Sequence, residues 1–480
     1  MKHIPEWAAL TAVAAALPLS AAGKGRKAAP APVDTAARNL PNIVFVLTDD
    51  LGIGDIGAYG QRTIPTPNID SLARAGMQFM QHYSGSTVSA PSRAVLLTGK
   101  HTGHAGVRGN DSRTLEDGTV YDYSLPAEET TVAEILRSKG YATGITGKWG
   151  LGGYPEEGGV GNQGFNYFFG HQAQVDAHHY YPKKLYENGT KIELDGTQYS
   201  DELTTQKALA FIDRSVAAGK PFFLEFATTL PHAELVLPEE EMKPFEGKFL
   251  ETPYKGEWYG SQPRPRAAFA AMVKRIDDNV GRLTAKLRET GQLENTIFIF
   301  SSDNGTHVEG GHDPNYFNSN ALFRGTKRDM YEGGIRTPFI VAWPGHIEPG
   351  SVSYHVSAFW DFLPTVCDIV GADVPEGVDG ISMLPEWTGE GEQPKHDYLY
   401  FEFHEEGGKQ AVIRDNWKLI RLNAKQLSKD PSKVKYELYN LSRDPKELRD
   451  VASKYPGKVT ELKAIMDRSR TVSENPAWNF

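Results

Sequence analysis

The chain has 480 residues, 39% hydrophobic and 23% charged, a balance that excludes a disordered chain and a polytopic membrane protein. Its formal charge of −10 argues against a nucleic-acid binder with a broad basic face. The one cysteine, Cys367, excludes a disulfide framework or a cysteine metal cage, and its apolar helical surroundings predict a buried core thiol.

The amino-terminal residues have the features of an export signal. A positively charged end precedes a short apolar run at residues 8–19, and small residues at 20–22 offer a cleavage site. The apolar run is too short to span a bilayer. We therefore expect a signal peptide over residues 1–22, a flexible leader over residues 23–37, and an exported protein, periplasmic or secreted, without stable membrane insertion.

Strand and helix patterns alternate through the next part of the chain. Continuously apolar, β-branched runs predict strands buried on both faces at residues 42–48, 141–146, 221–227, 296–301 and 338–342. Amphipathic patterns predict helices at residues 68–77, 131–139, 201–217, 267–289 and 359–370. This alternation predicts an α/β fold with a large, mostly parallel sheet sandwiched by helices, and we assign it to a catalytic domain over residues 38–386.

The pattern changes after about residue 387. Short segments typical of antiparallel strands occupy residues 398–403, 411–413, 417–422 and 436–441. A predicted helix over residues 458–468 follows them. We therefore expect residues 387–480 to form a smaller C-terminal subdomain of antiparallel sheet plus helix.

Polar residues follow four of the strands predicted for the large sheet. In an open α/β sheet the ligand site lies beyond the carboxyl ends of the strands. The polar residues at these ends are Asp49 and Asp50, Lys148, His232, and Asp303 with Asn304. We expect these clusters to converge into one site.

Four of these side chains supply oxygen ligands from two strand ends: Asp49, Asp50, Asp303 and Asn304. Hard oxygen donors without cysteine or histidine favour calcium or magnesium over zinc. An Asp-Asp pair taken alone is more often a turn or a helix cap. The Asp-Asn-Gly sequence after a second buried strand favours a metal site.

The segment Ser89-Ala-Pro-Ser-Arg93 predicts the start of a helix, because Pro91 suits a first turn. Ser89 would then stand at the positive end of the helix dipole, where anions are stabilised. Arg93, one turn further on, could offer planar donors to the same anion. Further cations and a candidate proton donor for this pocket are Lys148, Lys327 and His232. Such a cluster indicates a substrate with concentrated negative charge, a sulfate or a phosphate.

These motifs resemble the type I, formylglycine-dependent sulfatases (arylsulfatase-like, serine-type) of the alkaline phosphatase superfamily. The resemblance extends over nearly the whole chain after the leader. Its most specific element is the Ser-x-Pro-Ser-Arg signature at residues 89–93, with the Asp-Asp pair upstream. Other matching segments are residues 65–70, 97–99, 147–149, 231–232, 302–305, 324–328, 332–336 and 437–445.

The resemblance implies a role for each matching residue. A maturase would convert Ser89 to formylglycine, which Arg93 would steady, and the two hydroxyls of its hydrate would allow attack on sulfur and then release of sulfate. One calcium ion would be bound by Asp49, Asp50, Asp303 and Asn304. The sulfate would be held by Lys148, His232 and Lys327. His232 would donate the proton to the leaving alcohol.

One position departs from the family pattern. Many members follow the Lys-Trp pair with a histidine, whereas this chain has Gly150. Either another histidine replaces it or the enzyme works without one. We favour His101, which follows the helix that carries Ser89, as the replacement, with His104 as the other candidate.

Histidine-rich and aromatic segments suit the binding of a sugar ring and predict a sulfated carbohydrate as substrate. The candidate substrate-binding residues are His101, His104, His178, His179, His307 and His312. Ordinary packed loops would explain the same segments equally well.

Two other functions stay open at this point. A phosphatase or phosphodiesterase of the same superfamily would use Ser89 directly, although such enzymes carry Asp-His where this chain has Asp303 and Asn304. A glycan-binding homologue whose Ser89 is never modified would be catalytically silent.

Overall fold

The computed structural model describes residues 40–114 and 120–480. The expected signal peptide (residues 1–22) and leader (residues 23–37) lie outside the described residues. Within the described ranges, the helices are too short or too polar to cross a membrane.

Strands and helices alternate along most of the described chain. The strands are β1 (Asn42–Thr48), β2 (Met77–Phe79), β3 (His82–Tyr83), β4 (Ser112–Thr114), β5 (Val120–Asp122), β6 (Ala142–Lys148), β7 (Tyr167–His171), β8 (Lys184–Glu187), β9 (Thr190–Glu193), β10 (Phe222–Ala227), β11 (Thr296–Ser302), β12 (Phe339–Ala342), β13 (Ser351–Ser353), β14 (Ser357–Ala358), β15 (Leu399–Phe403), β16 (Lys409–Arg414), β17 (Trp417–Leu422) and β18 (Lys435–Asn440). The α-helices are α1 (Pro67–Ala75), α2 (Ser89–Thr98), α3 (Val132–Ser138), α4 (Ser200–Ala217), α5 (Glu239–Met242), α6 (Pro265–Glu289), α7 (Pro314–Phe317), α8 (Glu332–Ile335), α9 (Phe362–Val370), α10 (Leu384–Thr388) and α11 (Pro456–Arg468).

The main sheet has ten strands in the order β13-β2-β12-β11-β1-β10-β6-β7-β8-β9. Its centre is parallel, with β1 between β11 and β10 and with β6 and β7 continuing on the β10 side. Every residue of β1, β10 and β11 is buried, which fits their mainly apolar sequences. β10 also buries Glu225, and burial raises the pKa of that carboxyl to about 7. The predicted large, mostly parallel sheet is therefore confirmed.

Helices cover both faces of this sheet. Successive residues of β1 point to opposite faces, so Phe45 packs in one core cluster and Val46 in another. The Phe45 cluster includes residues of α2, α3 and α9, and the Val46 cluster includes residues of α1, α4 and α6. Cys367 of α9 is buried in the first cluster, and burial raises the pKa of its thiol to about 11. The prediction of a buried core thiol is confirmed.

One strand predicted for the parallel sheet runs in the opposite direction. β12 pairs with β11 in antiparallel orientation. The connection between them contains the short helices α7 and α8 and no long crossover helix, so the chain can return antiparallel.

A separate antiparallel sheet, β15 to β18 in sequence order, follows. One face packs against α11, with Val412 and Leu419 in contact with Leu462 and Ile465. The opposite face, which includes Phe401, joins the same core cluster as Phe45 of the main sheet. The predicted smaller antiparallel sheet with its helix is confirmed, whereas the boundary at residue 387 stays a prediction.

A buried charge cluster links this C-terminal sheet to the large sheet. The Nζ atom of Lys418, on β17, lies 2.9 Å from Oε1 of Glu332 and 2.9 Å from Oε1 of Glu447, and all three side chains are buried. Glu332 also pairs with Arg336 at 2.7 Å. Because Glu332 begins α8, the cluster ties β17 to the segment that carries Lys327.

Candidate active site at the carboxyl edge of the main sheet

The four predicted polar clusters meet at one edge of the main sheet. The register aligns the last residues of the central strands, with Leu47 opposite Ala227 and Thr48 opposite Ser302. The residues that continue from these ends are therefore brought together, as parallel pairing predicts.

Asp49 is the centre of the first group of contacts. Ser89, the first residue of α2, donates its hydroxyl to Oδ1 of Asp49 at 3.0 Å. Lys148 Nζ donates to Oδ2 of Asp49 at 2.6 Å, and Arg93 Nη2 lies 3.7 Å from the same oxygen. Burial by itself would raise the pKa of Asp49, but the charge of Lys148 and of its other basic neighbours holds that pKa well below its ordinary value.

Asp303 and Asn304 form the second group, on the other side of β1. Asp303 Oδ2 accepts from Arg93 Nη2 at 2.9 Å, and Asp303 Oδ1 accepts from the backbone N–H of Asp50 at 3.1 Å. Burial and the nearby charge of Asp49 raise the pKa of Asp303 to about 6. The amide nitrogen of Asn304 donates to Oδ1 of Asp50 at 2.7 Å.

These residues fit a hard divalent cation. Asp49, Asp50 and Asp303 are buried carboxylates. The Oδ1 atom of Asn304 is buried and accepts no hydrogen bond from the described residues. An unpaired buried acceptor beside carboxylate oxygens is typical of a ligand to a hard cation such as calcium.

Lys327 and His232 form the third group. Lys327 Nζ lies 2.8 Å from Oδ2 of Asp50 and 2.8 Å from Nε2 of His232. His232 Nδ1 lies 2.5 Å from the carbonyl oxygen of Ala233, and because a carbonyl only accepts, Nδ1 carries the proton. Nε2 therefore accepts from Lys327, and burial together with that charge holds the pKa of His232 well below its ordinary value.

Glu309 belongs to this third group, although the sequence analysis does not single it out. Its Oε2 atom lies 3.4 Å from Lys327 Nζ and 3.5 Å from His232 Nε2. Burial would raise its pKa, but the charge of Lys327 lowers that pKa to about 2. Glu309 stands between His307 and His312 in a loop without a strand or helix pattern, so only its closeness to two predicted candidates could have pointed to it.

Of the six histidines predicted to bind substrate, His178 and His307 lie beside His232. The ring of His178 stacks on that of His232, with 4.2 Å between the ring centroids. The ring of His307 is nearly parallel to that of His232, and their centroids are 5.8 Å apart. Burial lowers the pKa of His178 to about 4, and the charges of Lys148 and Lys327 act in the same direction. His178 therefore lies within the cationic part of the site.

The other histidines lie elsewhere. His179 is exposed and 3.7 Å from Glu234. His312 is buried, with its ring stacked on Phe269 at 3.6 Å and its Nε2 3.0 Å from the hydroxyl of Thr306. These contacts give His312 a packing environment.

His101 and His104 lie beyond the C-terminal end of α2, whereas Ser89 is at its N-terminal end. The ten residues of this helix separate its two ends by about 14 Å. His104 Nδ1 is 2.9 Å from Asp379, and the ring of His101 lies 5.2 Å from that of Tyr400. Of the predicted candidates, the structure therefore brings His178 and His307 next to His232, and not His101 or His104.

Gly150 has a local reason to be glycine. Its φ of +72° is a left-handed conformation that side chains disfavour. A Cβ at this position would lie 2.1 Å from Nε2 of Gln174, whose side chain fills the space. The histidine common at this position in the resembled family therefore has no room here without a shift of Gln174.

Two family models match this chain. The model of the family described as Sulfatase matches residues 41–372. A second family model, described as N-sulphoglucosamine sulphohydrolase, C-terminal, matches residues 322–471.

The chain is similar to curated sulfatases. It is 33% identical over 401 residues to N-acetylgalactosamine-6-sulfatase of Sus scrofa, covering 78% of this chain and 71% of the relative. It is 31% identical over 396 residues to arylsulfatase A of Homo sapiens, covering 76% and 71%. Among solved structures, Ps i-CgsB in complex with k-i-k-neocarrahexaose has a TM-score of 0.75 and 28% identity, covering 89% of this chain and 92% of that one.

Proposed function

Because the chain belongs to the sulfatase family and is therefore a sulfuric ester hydrolase, we propose that it removes sulfate from a sulfated saccharide, using formylglycine made from Ser89 and one calcium ion. The observation that carries this proposal is the position of Ser89. Its hydroxyl lies 3.0 Å from Asp49, at the point where three buried cations, Arg93, Lys148 and Lys327, surround three buried carboxylates.

The charge balance of the site supports an anionic substrate. Four carboxylates offset four cations once Glu309 and Arg328, which pair at 2.7 Å, are counted with the others, so a bound divalent ion would leave a surplus of positive charge for a sulfate ester. Such an ion, held by Asp49, Asp50, Asp303 and Asn304, would neutralise charge that develops on the sulfuryl oxygens. Formylglycine at position 89 would supply a hydroxyl of an aldehyde hydrate as the nucleophile.

The remaining steps belong to side chains of the chain itself. Lys148 and Lys327 would donate hydrogen bonds to the sulfate oxygens, and Arg93 would orient Asp303 and the group at position 89. His232 would pass to the leaving alcohol the proton that Lys327 donates to its Nε2.

Two relatives suggest the kind of substrate. One is named for N-acetylgalactosamine sulfate, and the solved neighbour binds a hexasaccharide. We extend the proposal to an exported enzyme, periplasmic or secreted, that acts on sulfated glycans and is matured by a formylglycine-generating partner. We also propose residues 38–386 as its catalytic domain and residues 387–480 as a subdomain.

Co-expression with a maturase tests the proposal. The intact mass is expected to fall by about 2 Da, the loss of two hydrogens from Ser89. The modified protein is expected to hydrolyse 4-nitrophenyl sulfate much faster than 4-nitrophenyl phosphate. An unchanged mass with faster turnover of the phosphate would instead identify a phosphatase that uses Ser89 directly.

Calcium is expected to raise the thermal unfolding midpoint of chelator-treated protein, because a ligand that binds only the folded state stabilises it. Asn304→Ala removes the unpaired amide oxygen and is expected to abolish most of this rise. Differential scanning calorimetry with and without calcium measures the effect. Asn315→Ala, an exposed asparagine, is the matched control, and an equal rise in both variants would place the ion elsewhere.

His178→Ala is expected to lower kcat/KM for 4-nitrophenyl sulfate about 100-fold, because its ring stacks at 4.2 Å on that of His232, the proposed proton donor. The neighbouring His179→Ala is the matched control, since His179 is 65% exposed and lies outside the stacked pair. Steady-state kinetics of both variants and of His101→Ala show whether His178 or His101 contributes more to turnover. A larger loss for folded His101→Ala than for His178→Ala would favour the first interpretation of the sequence.

A further inference from the structure

A second pocket adjoins the sulfate site, with a volume of about 400 Å³, which is within the range of small-molecule sites. Tyr259 and Glu309 line it and are partly buried. Trp258 and Val308 also line it, but they are 92% and 61% exposed. Arg328 also lines this space, which we call the aromatic pocket; its remaining lining residues are Tyr254, Glu257 and Gly310.

Glu309 is shared by the sulfate site and the aromatic pocket. Its Oε2 atom lies within 3.5 Å of both Lys327 Nζ and His232 Nε2. The same oxygen accepts a hydrogen bond from the hydroxyl of Tyr259 at 3.3 Å, and Oε1 accepts one from Nη1 of Arg328 at 2.7 Å. A carboxylate and a guanidinium held in this way can bind the hydroxyl groups of a sugar.

Tyr259 connects the aromatic pocket to the histidines of the sulfate site. Its ring lies 6.1 Å from that of His232 and 5.9 Å from that of His178. Since His232 is the group assigned to the leaving alcohol, the pocket begins on the side where the alcohol part of the substrate must lie. The sulfated sugar would then lie next to Tyr259 and Glu309, in the same pocket that Trp258 lines.

Trp258 is exposed but sits on an anchored loop. At the base of the loop, the backbone of Tyr254 exchanges two hydrogen bonds with that of Gln262, at 2.8 and 2.9 Å. Near its tip, the N–H of Gly260 donates to Glu234 at 3.1 Å. A large solvent-exposed aromatic side chain beside an exposed valine is typical of a binding surface. The flat indole ring of Trp258 suits the apolar face of a pyranose ring.

We propose that Trp258 is the platform of a subsite for the sugar unit joined to the sulfated one, an assignment that rests on the proposed sulfatase function. The enzyme then prefers an oligosaccharide to the corresponding sulfated monosaccharide. The preference comes from stacking on Trp258, because the contacts with sulfate are the same in both.

Calorimetric binding tests this subsite without turnover, in a Ser89→Ala background. Two pairs of probes are N-acetylgalactosamine 6-sulfate with an oligosaccharide that ends in it, and k-i-k-neocarrahexaose with its own sulfated monosaccharide unit. Trp258→Ala is expected to weaken binding of an oligosaccharide about three- to tenfold, the loss of one aromatic stacking contact, and to leave the monosaccharide unchanged. Trp258→Phe is expected to restore most of the affinity.

Tyr354→Ala is the matched control, since Tyr354 is an aromatic residue that is 69% exposed and lies on a different segment. The subsite is disproved if neither oligosaccharide binds more tightly than its monosaccharide, or if Trp258→Ala weakens both equally. Failure of the wild-type enzyme to hydrolyse 4-nitrophenyl sulfate would instead disprove the proposed sulfatase function. The binding result and the hydrolysis result therefore test the subsite and the function separately.

Discussion

Ser89→Ala is expected to lower kcat for 4-nitrophenyl sulfate by at least about 10⁴-fold, the order of loss when an enzyme loses its nucleophile. Alanine cannot be converted to formylglycine and has no hydroxyl group that could attack the sulfur atom. The fold is expected to survive, because Asp49 keeps its 2.6 Å contact with Lys148 when the 3.0 Å contact with Ser89 is lost.

Steady-state assays of protein co-expressed with a maturase measure this loss in kcat. The intact mass of the same samples is measured in parallel. Ser71→Ala, an exposed serine of α1, is the matched control and is expected to keep both the wild-type rate and the mass change. If Ser89→Ala retained most of the wild-type rate, the nucleophile would have to be another group.

Lys418→Met is expected to lower the free energy of unfolding by about 3–5 kcal/mol, because it leaves two buried carboxylates without their shared cation. The side chains of Lys418 and Glu447 are fully buried and that of Glu332 nearly so. Burial and the charge of Glu332 already raise the pKa of Glu447 to about 7, even though Lys418 acts against them. Methionine keeps a similar length and removes only the charge.

The pH dependence of this loss follows from the same carboxylates. A carboxyl group with a raised pKa takes up its proton as the pH falls, and a neutral Glu447 no longer repels Glu332. Lowering the pH from about 8 to about 5 is therefore expected to recover part of the stability lost in Lys418→Met. Urea unfolding at both values measures it, with the exposed Lys435→Met on β18 as control. A loss below about 1 kcal/mol, the range of surface ion pairs, would contradict the role of the cluster.

The centre of the fold and the carboxyl edge of its sheet could be predicted because both depend on local patterns. The run at residues 42–48 is apolar from residue 43 to residue 47, and it forms β1 with the same bounds. Once such runs are strands of a parallel sheet, their ends must align, so Asp49 and Asp303 could be placed together although 254 positions separate them in the chain.

The parts that sequence reasoning missed depend on loops and on distant pairing. Glu309 and Tyr259 reach His232 from segments without a helical or strand period, so no local signal places them. His101 looked favourable because it follows α2 in the chain, but the length of that helix carries it away from Ser89. The hairpin of β8 and β9 did have a signal, Asn188-Gly189, whose positive φ angles form its turn.

The buried charge cluster of Lys418, Glu332 and Glu447 joins segments that are synthesised at different times. The backbone of residues 328–335 forms hydrogen bonds with the backbone and side chains of residues 84–87, just before Ser89, and so helps to enclose it. Their anchor, Lys418, emerges only after most of the polypeptide has been synthesised. Ser89 is 1% exposed in the finished fold, so we expect it to be more accessible before the segment that contains Lys418 has joined the fold than afterwards.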